Sequence, residues 1–299
     1  MAVYEHRYRP YAGPQSALRL RWLVIPRYVL AAELRSKLWL AFLVACAVWP
    51  VLSAIIIYLH FNAGAIKLLE MSVNDLIPID AGFFFTFLRI QTGLGFLAVL
   101  FLGSALLPAD LRHNALPLYL SRPLTRFEYL AGKFAVLAVL LSLISWVPAL
   151  VLFTLQAVLT GNGWGAAHLQ IAAGTFVSSW VWITVLTLLT LAISSITRRA
   201  PVTGIAVAAI ILVLRGMAAT INALYNTSLG NLLSPATLID QVTGQLIGVQ
   251  ETHSSLLSRF ETPIPPPLPL WAAWLALAVL VAICAAILAL KVKAYEVAT

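Results

Sequence analysis

The chain has 299 residues, of which 61% are hydrophobic and only 10% are charged. This proportion of hydrophobic residues is far above that of soluble domains and identifies an integral membrane protein. The formal net charge of +8 does not indicate nucleic-acid binding, because the basic residues lie at the boundaries of apolar segments and not on a solvated patch with aromatic or helical readout elements.

Six segments are long and apolar enough to span a bilayer. A helix needs about 20 apolar residues to cross a hydrocarbon core that is about 30 Å thick, since each residue adds about 1.5 Å. The predicted spans are residues 38–60, 83–107, 134–160, 171–196, 202–224 and 270–290. A membrane β-barrel is excluded because these runs are continuously apolar rather than alternating. The predicted fold is all-helical, with a cytoplasmic segment over 1–37 and a single six-helix transmembrane domain over 38–299.

Lys and Arg residues accumulate on one side of the predicted spans. They lie in the N-terminal segment, between spans two and three, at Arg198 and Arg199, and in the C-terminal tail. Short loops rich in Lys and Arg stay on the cytoplasmic side of a membrane. We therefore expect a multi-pass protein of the plasma (inner) membrane with both termini in the cytoplasm.

The residues before the first span predict an amphipathic helix that begins at Pro26 and rests on the cytoplasmic leaflet. Leu30, Leu34 and Leu38 recur every four residues, and the charged residues avoid that line. The alternative interpretation is a basic flank without this helical face.

Two arginines lie inside predicted spans, Arg89 in span two and Arg215 in span five. Charged side chains in a membrane are energetically costly and often functional. One interpretation is that both line a substrate path in its outer half and contact an anionic headgroup or carboxylate. The alternative is that they extend outward to water or pair with Asp75 or Asp80.

The external connection over 225–269 is long enough to contain secondary structure. Leu238, Ile239, Val242 and Leu246 form an apolar stripe at helical spacing. The pattern predicts a short helix that lies on the outer interface or dips into it.

The sequence lacks the motifs of common catalytic and cofactor sites. No phosphate-binding loop of the form GxxxxGK followed by Ser or Thr occurs, so any use of ATP belongs to another chain. Gly93 and Gly95 fit part of a dinucleotide fingerprint but lie inside span two, which favours a role in helix packing. The histidines lack a second ligand at metal spacing, no nucleophile elbow occurs, and no pair of carboxylates lies within a span. We predict a chain that is not an enzyme and binds no metal or cofactor itself.

A polar, basic island from Asp110 to Lys133 separates spans two and three. Its first half, residues 108–120, predicts a short helix along the membrane edge. That helix would present Arg112, His113 and Asn114 to the cytoplasm.

The second half of the island carries signals for a break and a new helix. The Ser-Arg-Pro sequence at 121–123 ends the first helix. Thr125 and Glu128 then have the spacing of a capping box. The new helix leads through Gly132 and Lys133 into span three.

This arrangement resembles the ABC-2 family of ABC transporter permeases. In that family an acidic residue, a short helix, a Ser-Arg-Pro-like break and a Tyr-Leu-x-Gly-Lys-like re-entry join spans two and three. The matching residues are Asp110, Leu116, Leu120, Ser121, Pro123, Arg126, Glu128, Tyr129, Gly132 and Lys133. The six spans, the cytoplasmic termini, the amphipathic N-terminal helix and the long external segment extend the resemblance over nearly the whole chain. Asn114 and Ala115 replace the usual Gly-Thr, and Asn tolerates the left-handed conformation that such a Gly supplies.

The resemblance implies that the short helix is a coupling helix, seated in a groove of a separate ATP-binding subunit that holds ATP and magnesium. Two permease subunits, identical or different, and two ATPases would form an exporter surrounded by membrane lipids. The residues expected at the coupling contact are Asp110, Arg112, His113, Asn114, Leu116, Leu120, Ser121, Pro123, Arg126, Glu128, Gly132 and Lys133.

Two other interpretations of the island stay open. It can be an ordinary basic loop that only enforces topology. The chain can also be a non-transporting scaffold or assembly subunit, whose basic face recruits a cytoplasmic protein or anionic lipids.

Overall fold

The computed structural model of the chain describes residues 22–62, 78–112, 125–161, 163–197, 199–225, 227–249 and 268–291. In these ranges the fold is all-helical, as predicted, and six helices are long and apolar enough to cross a membrane. The helices are α1 (Val24–Glu33), α2 (Lys37–Phe61), α3 (Ala81–Leu106), α4 (Pro108–Arg112), α5 (Arg126–Ile144), α6 (Trp146–Thr160), α7 (Trp164–Ala167), α8 (Leu169–Ile196), α9 (Ala200–Tyr225), α10 (Pro235–Ile247) and α11 (Leu270–Lys291). The spans are α2, α3, α5 together with α6, α8, α9 and α11.

The third span differs most from its predicted bounds. It begins at Arg126 rather than at residue 134, because the helix capped by Thr125 continues directly into the span. The helix is then interrupted at Ser145, between α5 and α6. Pro148 explains the interruption, since it has no N–H to donate to the carbonyl of Ile144 and its ring clashes with that carbonyl.

Helix α1 forms at the predicted place, but it is shorter than predicted, so that Leu34 and Leu38 lie beyond its end. The helix ends at Glu33, and the chain turns before α2 begins. Leu34 is exposed and Leu38 is 84% exposed. Ile25 is buried and Leu30 is partly buried against the bundle, so the face in contact with the protein lies one turn earlier.

Helix α8 lies at the centre of the bundle and contacts α3, α5, α6, α9, α10 and α11. Glycines permit the closest of these approaches. A Cβ atom on Gly95 of α3 would lie 2.6 Å from the Trp182 ring of α8, which confirms the predicted packing role of Gly95. A Cβ atom on Gly174 of α8 would lie 2.4 Å from the backbone oxygen of Leu246 in α10. Small residues are a common means of close helix packing in membranes, where burial of apolar surface gives little driving force.

Residues 227–249, the described part of the chain that follows α9, fold back among the spans. A 3₁₀ turn, Leu229–Leu233, packs along α9, where the Gly230 amide donates to Asn222 Oδ1 at 2.9 Å and Asn222 Nδ2 donates to Asn231 Oδ1 at 2.8 Å. Helix α10 then packs between α8 and α11. The predicted apolar helix is therefore confirmed, and its stripe contacts other helices of the protein.

The contact at Gly174 generates a test of this packing. In Gly174→Ala the new methyl group would meet backbone rather than a mobile side chain, so α10 must shift. Overpacking of this kind costs about 1–3 kcal/mol. We expect a lower thermal unfolding midpoint for the purified full chain in detergent, measured by intrinsic fluorescence.

Gly216→Ala is the matched control, because no atom lies within 4 Å of a Cβ at that helical position. Its midpoint should be equal to or above that of the wild-type chain, because alanine has the higher helix propensity. Equal midpoints for the two variants would contradict the close approach of α8 and α10.

Candidate functional site

Among the described residues, charged side chains meet within the apolar bundle at two places, and the first joins the ends of α3, α4 and α5. The Asp110 junction consists of Asp110, Tyr129, Lys133 and the backbone carbonyl of Leu106. Lys133 Nζ lies 2.7 Å from Asp110 Oδ2 and donates to the Leu106 oxygen at 2.9 Å. The Tyr129 hydroxyl donates to the same Asp110 oxygen at 2.7 Å.

Burial makes the Asp110 junction energetically demanding. The side chain of Lys133 is 5% exposed and that of Asp110 is 14% exposed. A buried ammonium group loses its hydration, so it needs a counter-charge and acceptors for its donors. The carboxylate and the Leu106 carbonyl supply these, and the Tyr129 ring lies 5.7 Å from Nζ. The junction is therefore paired, and removal of either charge leaves the other without compensation.

Local sequence explains how α5 presents its part of the junction. The predicted capping box forms: Glu128 N donates to Thr125 Oγ1 at 3.2 Å, and Thr125 N donates to Glu128 Oε2 at 2.7 Å. The cap fixes where α5 begins. Tyr129 and Lys133 are four residues apart and so lie on one face, toward Asp110.

Gly132, which precedes Lys133 on α5, allows α1 to pack against α5. A Cβ atom there would lie 3.0 Å from Ile25 Cβ and 3.2 Å from the Trp22 carbonyl oxygen. The absence of a side chain thus allows α1 to contact α5 beside the Asp110 junction. Four elements, α1, α3, α4 and α5, meet at this end of the bundle.

The structure brings together part of the predicted coupling contact. Asp110, Gly132 and Lys133 lie at or beside the junction, while Arg112 and Arg126 are exposed. The other predicted residues of the island fall outside the described residues; these are His113, Asn114, Leu116, Leu120, Ser121 and Pro123. Tyr129 was noted for the family resemblance alone, and its hydrogen bond to Asp110 was not anticipated, although its spacing from Lys133 signals a shared face.

The second place is a cavity of about 160 Å³ between α3, α8, α9 and α10, here called the arginine cavity. Arg89 of α3, Arg215 of α9 and Asp240 of α10 form its charged wall. Its other lining residues are mainly apolar and include Phe96, Trp182, Val185, Leu186, Leu189 and Ile211.

Both arginines of the cavity lie near one carboxylate. Arg89 Nε is 3.9 Å and Arg215 Nη2 is 3.8 Å from Asp240 Oδ2. These distances are those of ion pairs but exceed hydrogen-bond length. The side chains of Arg89 and Arg215 are 44% and 47% exposed. Among the described residues, two guanidinium groups against one carboxylate leave a net positive charge at the wall.

The observed partner differs from the acids that the sequence suggested. Asp80 instead caps α3, where its Oδ1 accepts from Phe83 N at 3.0 Å. Asp75 lies outside the described residues. Sequence reasoning placed Asp240 in an external loop and missed its role. The available signal was an acid inside the apolar stripe of α10, next to Ile239.

Comparison with known families relates the chain to a family of membrane transporters. The sequence model of the ABC-2 family transporter protein matches residues 86–296, a range that includes the Asp110 junction and the arginine cavity. The chain belongs to the ABC-2 family. No curated protein matches the chain. The ABC-2 match identifies a multi-pass membrane protein and the permease subunit of an ABC exporter, a non-catalytic subunit whose family in general works with an ATP-binding subunit.

Substitution of Lys133 tests whether the Asp110 junction is a compensated buried pair. Lys133→Met leaves the Asp110 carboxylate without its cation, and breaking a buried pair from one side costs about 3–5 kcal/mol. We expect a marked fall in the thermal unfolding midpoint of the purified ABC-2 chain. The double variant Asp110→Asn, Lys133→Met should regain part of that loss, because no lone charge is then buried.

Lys37→Met is the matched control, since Lys37 is exposed. Its midpoint should stay near that of the wild type. A double variant less stable than Lys133→Met would contradict the pairing.

Proposed function

We propose that this chain is the transmembrane permease subunit of an ATP-driven ABC-2 type exporter. Two such subunits assemble with two separate nucleotide-binding subunits, which hold ATP and magnesium, in the plasma membrane with both permease termini in the cytoplasm. The island from Asp110 to Lys133 forms the contact with the nucleotide-binding subunit and passes its movement to the spans. The Asp110 junction is the observation that carries this proposal, together with the family match.

The geometry supports transmission of movement from the island to two spans at once. Asp110 belongs to α4, next to the part of the island proposed to dock. Its carboxylate is bonded to Tyr129 and Lys133 of α5, and Lys133 is bonded to the last turn of α3 through Leu106. A push on α4 therefore acts on the ends of both α3 and α5. The contact of Ile25 with Gly132 adds α1 to the same unit.

Magnitudes favour a buried pair as the link. Moving a two-state equilibrium from 1:99 to 99:1 takes about 5.5 kcal/mol. A surface ion pair contributes about 0–1 kcal/mol and would separate before it transmitted an energy of this size. Separating the charges of a buried pair would leave both ions desolvated without compensation, at a cost of several kcal/mol, which is comparable with the transmitted energy. The burial of Lys133 is thus suited to a mechanical joint.

Exchange of Asp110 tests the coupling. The full chain is co-expressed with the ATP-binding subunit encoded beside it, and Thr92→Cys reports on the arginine cavity through its maleimide labelling rate. We expect the subunits to co-purify and ATP to change the labelling rate at least severalfold. Asp110→Asn, or replacement of residues 116–120, should abolish the ATP-dependent change while membrane insertion is retained.

Asp80→Asn is the control of identical chemistry, because asparagine also caps a helix and Asp80 lies at the opposite end of α3 from Leu106. This variant should respond to ATP as the wild type does. If no ATP-binding subunit co-purifies with the wild-type chain, the proposal fails. A stable complex with a protein lacking ATPase activity, and no response to ATP, would support the scaffold alternative.

A further inference from the structure

We infer that the arginine cavity binds the anionic headgroup of a lipid-like amphiphile, a molecule with one negative group on an apolar chain. This inference rests on the proposed function, because it assigns the substrate class of the exporter. Its support comes from the charge balance, the size and the surroundings of the cavity.

The charge of the cavity wall is unbalanced toward positive. Arg89 and Arg215 share Asp240 as an acidic neighbour within the described part of the chain. Each guanidinium group has five N–H donors, and the separations of 3.8 Å and 3.9 Å leave those donors unused by Asp240. Carboxylates and phosphates are the groups that a guanidinium fork binds best. An added monoanion would neutralise the wall.

The size of the cavity limits what it can hold. A volume of about 160 Å³ is below the roughly 300–1,000 Å³ typical of sites that enclose a drug-sized ligand. It accepts a headgroup and leaves the remainder of the molecule outside. The adjoining surface is suited to an acyl chain, because Ile90 and Leu97 of α3 and Leu212 of α9 are exposed apolar side chains. Charge and apolar surface together therefore match an amphiphile.

A purely structural role for the arginines fits less well. Charges that only tie helices together are expected to be closely bonded and shielded, as in the Asp110 junction, where the distance is 2.7 Å and Lys133 is 5% exposed. Arg89 and Arg215 are instead nearly half exposed and beyond hydrogen-bond distance of their counter-ion. This open arrangement leaves a place for a second anion.

The test measures binding to the full chain purified in a neutral detergent, without the ATP-binding subunit. The anionic probe is 2-bromostearate and the neutral probe of equal chain length is 2-bromostearyl alcohol, so that the bromine lies beside the headgroup that the cavity is proposed to hold. Bromine quenches nearby indoles, and Trp182 lies in the cavity wall. Because the chain has nine tryptophans, the difference between the wild type and Trp182→Phe isolates the local signal.

Substitution of the two arginines and substitution of Asp240 should have opposite effects on the affinity for the anionic probe. Arg89→Gln and Arg215→Gln should each weaken its binding about tenfold, which is about 1.4 kcal/mol, because each removes one positive charge. Asp240→Asn should tighten it, because the competing carboxylate is gone. Binding of the neutral probe should not change, which also shows that each variant is folded. Arg27→Gln, at an exposed site on α1, is the control and should bind as the wild type does.

Two results would overturn the inference: equal affinity of the wild type for both probes, or a loss of binding in all three variants. If Arg215→Gln fails to fold, Arg215→Lys must retain binding of the anionic probe. A brominated phosphatidylglycerol distinguishes a bilayer lipid from a free single-chain acid. The binding test contains no ATPase, so its result is independent of the coupling experiment. Charge-selective binding together with a failed coupling experiment would contradict only the exporter proposal. ATP-dependent labelling without charge-selective binding would contradict only this inference.

Discussion

A lysine buried at the end of an apolar bundle has to be neutralised where it lies, and the arrangement of the neighbouring helices follows from this constraint. Lys133 lies one turn beyond Tyr129 on α5, and its counter-charge comes from outside that helix. Asp110 supplies the charge and Leu106 supplies an acceptor, which holds α3 and α4 against α5. The capping box at Thr125 fixes the register of α5, so that Tyr129 and Lys133 face this partner. Electrostatics thus determines the geometry of the segment that links spans two and three.

Away from the Asp110 junction the bundle depends on close packing rather than on charge. Apolar side chains gain little when they leave lipid for protein, so contact between helices requires matching shapes. Gly95 and Gly174 provide these at the two faces where α8 meets α3 and α10. The approach of α10 to α8 places Asp240 between Arg89 and Arg215, which belong to different spans. The arginine cavity is therefore a consequence of how α10 packs.

The features that could be predicted from the sequence are those governed by nearby residues. The presence of six spans, the capping box at Thr125 and the apolar helix that includes Leu238 and Val242 follow from local composition and spacing, and the described part of the chain contains all of them. Leu34 and Leu38 fall beyond the end of α1 because the end of a helix depends on how the next span packs, which a periodic pattern does not encode. The early start of span three at Arg126 was missed because its polar first turns have low hydropathy.

Partners far apart in the chain were the hardest to predict. Arg89 and Arg215 were recognised as unusual because each stands alone in an apolar run, but their shared neighbour Asp240 was assigned to a loop. Only the fold brings these three residues together. The pairing of Asp110 with Lys133 could be approached from sequence because both belong to one island with a family resemblance. The hydrogen bond from Tyr129 required the structure.

The two charged clusters use the same side-chain chemistry but differ in what they leave available. In the Asp110 junction one cation meets one anion at 2.7 Å with little exposure, so the two charges neutralise each other within the protein. In the arginine cavity two cations meet one anion at 3.8 Å and 3.9 Å, and both arginines are nearly half exposed. Interaction between charges strengthens as water is excluded, so a closed pair resists separation while an open pair exchanges partners readily. Stoichiometry and burial thus distinguish the joint that we propose to transmit movement from the surface that we propose to bind an anion.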